Sequence, residues 1–414
     1  MLSPYRVLDL TTERGLLCGQ VLGDLGADVI KIEPPGGSPA RNVGPFYKDE
    51  PDPNRSLFWW AYNRNKRSVT LDIEQQDAAR AILRRLIEGA HFLIESHDPG
   101  YMASLGLSYD DVAAINPGII YVSITPFGQT GPKAGWADSD LIVWAAGGPL
   151  ALTGDSDRPP VRVSVPQAYA HASAEAAVAA LIAHHERARS RRGQHIDVSA
   201  QASVDQATLS NALSAPLGVP DVRRSSGGSK YGPILVRGVY PASDGYVAIS
   251  FFFGTALGPM TRRLMQHVYD EGFCDESIRD KDYIAYVELL LSGKEPESEY
   301  ARVRDALEAW TRSKTKAELL DAALERGLLI APIAQVSESF DSEQLAAREY
   351  WQPLDHPELS MTVPYPGAFA KFSETPLRYR LRPPLAGEHN RALYIDELGM
   401  TEEEVFDLQA NGAI

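Results

Sequence analysis

The sequence predicts an α/β protein in which helices cover a parallel β-sheet. The chain begins with a strand–helix–strand pattern, and short apolar runs then alternate with amphipathic stretches up to about residue 200. Its 414 residues also exceed one domain of about 150 residues. We therefore expect two domains with separate cores.

The first strand–helix–strand unit lies within the first 35 residues. Its predicted elements are a buried strand at 6–10, a helix at 15–25 that ends at a glycine, and a strand at 28–33 that stops before two prolines. A helical crossover between neighbouring strands implies parallel pairing with a right-handed connection.

The same pattern recurs with different residues farther along the chain. We predict a strand at 69–73, an amphipathic helix at 75–88, and strands at 91–95 and 118–126. These segments extend the parallel sheet.

A long alanine-rich segment at 168–192 predicts a single helix. Arginines crowd its last turns, where cations complement the helix dipole. The segment GQHIDVSA that follows predicts another strand.

The second half of the chain predicts a smaller α+β region. A Ser/Gly-rich stretch at 225–232 indicates a boundary, and YPASDGYVAIS predicts a hairpin that turns at Asp244-Gly245. Beyond about residue 340 the sequence is rich in proline and loops, so we expect this tail to lie on another surface.

Composition argues against several classes of protein. A formal net charge of −15 repels a phosphate backbone and argues against nucleic-acid binding. The N-terminus has no signal-peptide pattern and no run approaches the ~20 apolar residues of a membrane span. Cys18 and Cys274 fit a reducing compartment, with Cys18 in the core. We expect a cytoplasmic protein.

Familiar cofactor motifs are missing from the sequence. The first strand–helix turn is TTERG, without the glycine spacing that binds NAD, and no GxxxxGK[ST] loop occurs. The nine histidines have no HExxH or CxxC companion, and His184-His185 lie on adjacent helix faces. We predict neither NAD nor a metal.

A dozen short motifs follow one another in a fixed order along essentially the whole chain and end in YPG and GEH. The main segments are VLDLT at 7–11, GDLGADVIKIEPPGG at 23–37, NRNKRSVTLDI at 63–73, NPGIIYVSITPFGQTGP at 116–132 and RGQHIDVS at 192–199. In this order they resemble the family III CoA-transferases, which include formyl-CoA, carnitine and benzylsuccinate CoA-transferases.

The resemblance implies a two-domain fold and a dimer of interlocked rings. Residues 1–224 together with 336–414 are expected to form a Rossmann-like, CoA-binding large domain. Residues 225–335 are expected to form the small α+β domain.

Coenzyme A requires cations for its phosphates, a slot for adenine and a narrow channel for pantetheine. The resemblance places five residues at the nucleotide end: Arg41, Asn65, Lys66, Arg67 and Lys133. Taken without the family pattern, RNKR at 64–67 would be an exposed basic turn.

Four features depart from the family pattern. Asp98, in ESHDPG at 95–100, stands where the family motif ENFRPG or ENFHPG has arginine or histidine. Ser104 replaces a phosphate-contacting arginine of the family. The first turn carries Glu13-Arg14 instead of small or amide side chains. The apolar SFFFG at 250–254 replaces a flexible glycine-rich loop, and its phenylalanines either fill the pocket or pack in a core. These changes predict weakened CoA binding.

The catalytic aspartate of the family falls on Tyr169. In the family mechanism that carboxylate attacks the thioester, forms a mixed anhydride and then an aspartyl-CoA thioester. A phenol with an ordinary pKa of ~10 cannot replace it. Its helical neighbours Val165, Pro166, Ala172 and Ser173 supply no carboxylate.

The first hypothesis is therefore a non-catalytic subunit of a heteromeric CoA-transferase, whose paralogous partner carries the aspartate. It most resembles the aspartate-lacking subunit of succinyl-CoA:benzylsuccinate CoA-transferase. Alternatives are transfer by direct attack of the acceptor acid, an acyl-CoA-binding regulatory protein, and a racemase, which His171 alone does not support. A last alternative is transfer through another carboxylate, for which the candidates are Asp138, Asp140, Asp155, Asp157 and Glu175.

Overall fold

A computed structural model describes residues 1–219, 222–232 and 234–414. The chain forms two compact units. The larger unit comprises Met1–Leu150, Arg162–Pro220 and Glu343–Ile414, and the smaller one comprises Ala151–Val161 and Asp221–Ser342. Within the described residues, no helix is long and apolar enough to cross a membrane.

A six-stranded parallel sheet forms the centre of the larger unit, which confirms the predicted fold class. In chain order, the strands lie side by side as third, second, first, fourth, fifth and sixth, so the order reverses between the first and the fourth strand. Ligands of such sheets bind at the carboxyl ends of strands next to this reversal. The strands are β1 Arg6–Leu10, β2 Asp28–Glu33, β3 Lys66–Thr70, β4 Phe92–Glu95, β5 Ile120–Thr125 and β6 Gln194–Ser199.

Helices cover both faces of this sheet. Alternate residues of a strand point to opposite faces. Val7 packs in one core cluster with residues of the helices at 16–24 and 168–190, and Leu8 packs in another with residues of the helix at 77–88. The helices of this part are α1 Leu16–Asp24, α2 Leu57–Tyr62, α3 Asp77–Glu88, α4 Tyr101–Ser104, α5 Tyr109–Ile115, α6 Asp140–Gly147, α7 Ala168–Ser190, α8 Ala200–Asp205, α9 Leu209–Ala212 and α10 Ser214–Leu217.

The smaller unit is an α+β body with its own aromatic core. The hairpin formed by Val239–Ala242 and Gly245–Ile249 turns at Ser243-Asp244, one residue before the predicted Asp244-Gly245, because Gly245 already pairs with Ala242. The strand Gly245–Ile249 also pairs with Ile330–Pro332. Its elements are β7 Ser229–Tyr231, β8 Ile234–Val236, β9 Val239–Ala242, β10 Gly245–Ile249, α11 Gly254–Asp270, α12 Glu276–Arg279, α13 Tyr286–Leu291, α14 Glu297–Arg312, α15 Lys316–Arg326 and β11 Ile330–Pro332.

The C-terminal segment completes the core of the larger unit. Leu393, Tyr394 and Val405 pack with Leu8 and Leu83 against one sheet face, so the two ends of the chain share one core. The elements are α16 Glu343–Ala347, the antiparallel pair β12 Trp351–His356 and β13 Met361–Pro366, a π-helical turn at Ala392–Glu397, and α17 Glu402–Ala410.

Candidate functional site

Tyr169 lies in the first turn of α7 and lines a cavity of ≈ 290 Å³ in the larger unit. Most of the cavity wall is apolar, with contributions from Leu16, Leu17, Val43, Phe58 and Tyr62. The polar part of its lining includes residues of the turn after β1 and of the segment in which α6 begins: Glu13, Arg14, Asp138, Ser139 and Asp140.

Asp138 is the carboxylate that contacts Tyr169. The Tyr169 hydroxyl donates a hydrogen bond to Asp138 Oδ2, and Arg14 Nη2 donates to Asp138 Oδ1 over 2.6 Å. The Asp138 side chain is 8% exposed. Each oxygen of the Asp138 carboxylate therefore accepts a hydrogen bond, one from the Tyr169 phenol and one from Arg14.

Tyr169 is a poor nucleophile in this setting. Burial and the hydrogen bond to Asp138 together raise the pKa of Tyr169 far above its ordinary value. The phenolate is therefore absent at neutral pH. The structure agrees with the sequence argument that Tyr169 cannot attack a thioester as a carboxylate does.

Arg14 joins the two loops on either side of the strand-order reversal. It follows β1, and its Nη1 donates over 2.7 Å to Asp98, which follows β4. Burial alone would lower the pKa of Arg14, but its acidic partners outweigh burial and raise it. Asp98 is 77% exposed, so this second ion pair is weak.

Asp140 caps the helix that carries Tyr169. Its Oδ1 accepts hydrogen bonds from the backbone N–H groups of Gln167 (2.7 Å) and Ala168 (2.8 Å). These N–H groups have no partner within the helix, and the helix dipole also favours an anion there. Asp140 thereby fixes the first turn of α7.

We expect Asp140→Ala to lower the free energy of unfolding by about 1–2 kcal/mol, because two backbone donors lose their acceptor. The control is Asp157, whose side chain is exposed. Asp157→Ala should change the free energy of unfolding by less than about 0.5 kcal/mol. Urea denaturation measures both. Equal effects would contradict a capping role for Asp140.

Other carboxylates named from the sequence do not contact Tyr169. Glu175 Oε2 accepts a hydrogen bond from Ser203, and Asp155 and Asp157 belong to the smaller unit. The side chain of His171 is exposed and lies edge-on to Trp144. Asp138 is thus the alternative carboxylate that the structure favours.

Arg41, predicted to bind CoA, is fully buried. Its Nε and Nη2 donate to the Glu33 carboxylate over 2.6 and 2.7 Å, and its guanidinium carbon lies 3.7 Å from the ring centre of Trp59. Nη2 also donates to Pro384 O. A CoA phosphate would have to compete with Glu33 for Arg41.

Asn65 and Lys66 are also buried among internal partners. Asn65 Nδ2 donates to Asp24 over 2.7 Å, and its Oδ1 accepts from the backbone of Arg380. Lys66 Nζ lies 2.8 Å from Asp9 Oδ2. Both residues connect parts of the larger unit.

Arg67 and Lys133 lie nearer the surface. Arg67 forms ion pairs with Asp28 and Glu397. Lys133 is half-buried, with its ammonium 5.4 Å from the ring centre of Trp136. Contact of CoA with any of the five residues stays a prediction.

The apolar segment at 250–254 follows β10. Phe251 and Phe253 pack edge-on at 5.4 Å between ring centres within the core of the smaller unit. The core interpretation therefore holds for these alternate residues.

Sequence reasoning missed Glu95, at the end of β4. The side chain is buried, and burial raises its pKa to about 7, although hydrogen bonds from Ser123 and the backbone of His97 oppose the rise. The ENF-like motif indicated the position of Glu95 without indicating its ionisation.

Comparison with protein families gives a match over residues 2–390 to CoA-transferase family III. The chain belongs to this family. Family III CoA-transferases act on CoA thioesters, so acyl-CoA and carboxylic acids are the expected substrates.

Several curated members of the family are similar to this chain over its length. Subunit BbsE of succinyl-CoA:(R)-benzylsuccinate CoA-transferase from Thauera aromatica is 34% identical, covering 100% of this chain and 98% of its own. Succinyl-CoA–D-citramalate CoA-transferase from Chloroflexus aurantiacus is 31% identical over 100% and 98%. Succinate–glutarate CoA-transferase from Agrobacterium fabrum is 32% identical over 94% and 93%.

Solved structures agree with this family assignment. A CAIB/BAIF family protein from Brucella suis has a TM-score of 0.80 and 29% identity, covering 95% of this chain and 98% of its own. Rv3272 from Mycobacterium tuberculosis has a TM-score of 0.74 at 24% identity, covering 94% and 98%, which supports the fold alone.

Proposed function

We propose that this family III CoA-transferase chain is the non-catalytic subunit of a heteromeric enzyme that moves CoA between carboxylic acids. The observation that supports the proposal is that Tyr169 occupies the position of the family aspartate. Its hydroxyl is hydrogen-bonded to a neighbouring carboxylate, Asp138. The similarity to a relative named as a subunit is the second support. The catalytic carboxylate is then supplied by a paralogous chain.

The same proposal includes substrates and assembly. By similarity to the Thauera enzyme, the donor is succinyl-CoA and the acceptor is a benzylsuccinate-like acid. The two chains interlock in the cytoplasm, and CoA is bound by the larger unit near Arg41, Asn65, Lys66, Arg67 and Lys133. Among these, Lys133 has the ammonium best placed to reach a phosphate, because the two arginines and Lys66 are in ion pairs.

Transfer activity with and without a partner tests the proposal. We expect the pure chain to produce no benzylsuccinyl-CoA from succinyl-CoA and benzylsuccinate, as measured by liquid chromatography of CoA esters. Co-expression with a paralogue that carries the aspartate should yield a copurifying complex with activity. The matched control is the paralogue with that aspartate changed to asparagine, which should be inactive. Transfer by the pure chain would contradict the proposal.

A second candidate function is supported by the position of Asp138. A carboxylate beside Tyr169 could attack a thioester in place of the family aspartate, with Arg14 as a neighbouring cation. Incubation with acyl-CoA followed by hydroxylamine or borohydride, then peptide mass spectrometry, would locate an adduct on Asp138. Asp138→Asn is the control. A labelled Asp138 supports this function and excludes the first.

A further inference from the structure

Three charged residues lie completely inside the larger unit, next to the first strand–helix turn. Asp9, Lys31 and Lys66 are each at most 1% exposed. Lys66 Nζ lies 2.8 Å from Asp9 Oδ2, and Lys31 Nζ lies 3.3 Å from Asp9 Oδ1. Two cations share one anion, so the cluster holds an excess positive charge that must be satisfied by other polar groups.

Main-chain carbonyls at the two ends of the turn satisfy that charge. Lys31 Nζ donates to Thr11 O, and Lys66 Nζ donates to Leu16 O over 2.7 Å. Lys66 also donates to Asn63 Oδ1 over 2.9 Å. Each lysine thus binds one end of the segment that connects β1 to α1.

Asp9 binds the start of the turn, and Gly19 allows α1 to lie close to the Asp9 carboxylate. Asp9 Oδ1 accepts hydrogen bonds from the backbone (3.0 Å) and the hydroxyl (2.6 Å) of Thr11. A Cβ on Gly19 would lie 2.2 Å from Asp9 Oδ2, so only glycine lets α1 approach the carboxylate. The Lys31 and Lys66 cations lower the pKa of Asp9 to about 2 against the opposing effect of burial, so Asp9 is ionised at neutral pH.

The turn held in this way carries Arg14. The Arg14 carbonyl accepts a hydrogen bond from Ser173 of α7, and its guanidinium binds Asp138 beside Tyr169. The position of Arg14 in the Tyr169 cavity therefore depends on how the two ends of the turn are held.

We propose that Lys31 and Lys66 are positioning residues that hold the turn at 11–16 and thereby place Arg14 against Asp138 and Tyr169. This proposal rests on the proposed function in one respect, namely that the Tyr169 cavity is the candidate functional site. It assigns to Lys66 a role in the scaffold of the site rather than direct contact with a CoA phosphate.

The test uses 3-fluorotyrosine incorporated at position 169 of the full chain, because its ¹⁹F resonance reports the hydrogen bond to Asp138. Arg14→Gln sets the reference shift. We expect Lys31→Met and Lys66→Met each to move the resonance by at least half of that shift. Asn63→Ala, which removes one acceptor of Lys66 and is milder, should move it in the same direction and keeps the test decisive if the lysine variants do not fold.

A destabilised control separates positioning from general loosening. Leu83→Ala removes a fully buried side chain of α3 in the core cluster on the opposite sheet face, and it should leave the resonance in place. An unmoved resonance in the lysine and Asn63 variants, or an equal movement in Leu83→Ala, would overturn the proposal. The ¹⁹F measurement needs neither a partner chain nor turnover. Its outcome therefore tests the positioning role even if the proposed function is wrong.

Discussion

Replacing Arg41 with methionine is expected to lower the free energy of unfolding by about 3–5 kcal/mol, because it leaves the buried Glu33 carboxylate without a cation. Glu33 is 1% exposed and accepts two hydrogen bonds from the guanidinium. The substitution also removes the stacking of Arg41 on Trp59 and its bond to Pro384 O. Urea denaturation followed by circular dichroism measures the change.

The exposed ion pair of Arg55 and Glu50 supplies the matched control. Arg55→Met should change the free energy of unfolding by less than about 1 kcal/mol, since exposed pairs contribute little. A double variant, Arg41→Met with Glu33→Leu, should regain part of the loss because no buried charge remains unpaired. If Arg41→Met instead retained full stability and lost CoA affinity, Arg41 would be a phosphate ligand, as the family resemblance implies.

The parallel sheet could be predicted because its strands are apolar runs of the right length. The predicted strands at 6–10 and 28–33 have the observed bounds. The third strand was predicted at 69–73 and lies at Lys66–Thr70. The predicted bounds are displaced towards the C-terminus for two reasons. Leu71 and Ile73 are buried although they lie beyond the strand, and Lys66 is buried inside the strand although it is charged. Hydrophobic periodicity assigns such a lysine to the surface.

The long helix shows the same limit at its end. It was predicted to run to residue 192 and ends at Ser190, with Arg191 in the left-handed conformation. Arg187 was assigned to the helix dipole, but its guanidinium donates to the carbonyls of His91 and Gly118. Helix propensity does not reveal such contacts across the sheet.

The site was only half predictable for a similar reason. Alignment to the family pattern located Tyr169 and the unusual Arg14, but it could not show that Asp138, 31 residues earlier, meets both. That contact depends on how the segment before α6 lies over the start of α7. Five residues assigned to CoA by resemblance include three that are buried among internal partners, which a sequence motif cannot distinguish from ligand contacts.

Replacing Tyr169 with aspartate is expected to destabilise the chain in a pH-dependent way. The introduced carboxyl would face Asp138, and like charges within ~4–6 Å disfavour ionisation. Its pKa in the folded state should therefore lie above the unfolded value of ~3.9. A raised folded pKa means that the protonated form favours folding, so this contribution is present at low pH and is lost as the pH rises through the folded pKa.

Tyr169→Asn is the matched reference, because it loses the same contacts and adds no charge. Relative to it, Tyr169→Asp should be less stable by about 2 kcal/mol at pH 8, corresponding to a pKa raised by ~1.5 units, and by less than half of that at pH 4.5. Urea denaturation of both variants at the two pH values gives the difference. A difference near zero at both pH values would mean that Arg14 neutralises both carboxylates. The chain would then accommodate the family aspartate at this position, and Tyr169 alone would account for the missing catalytic group.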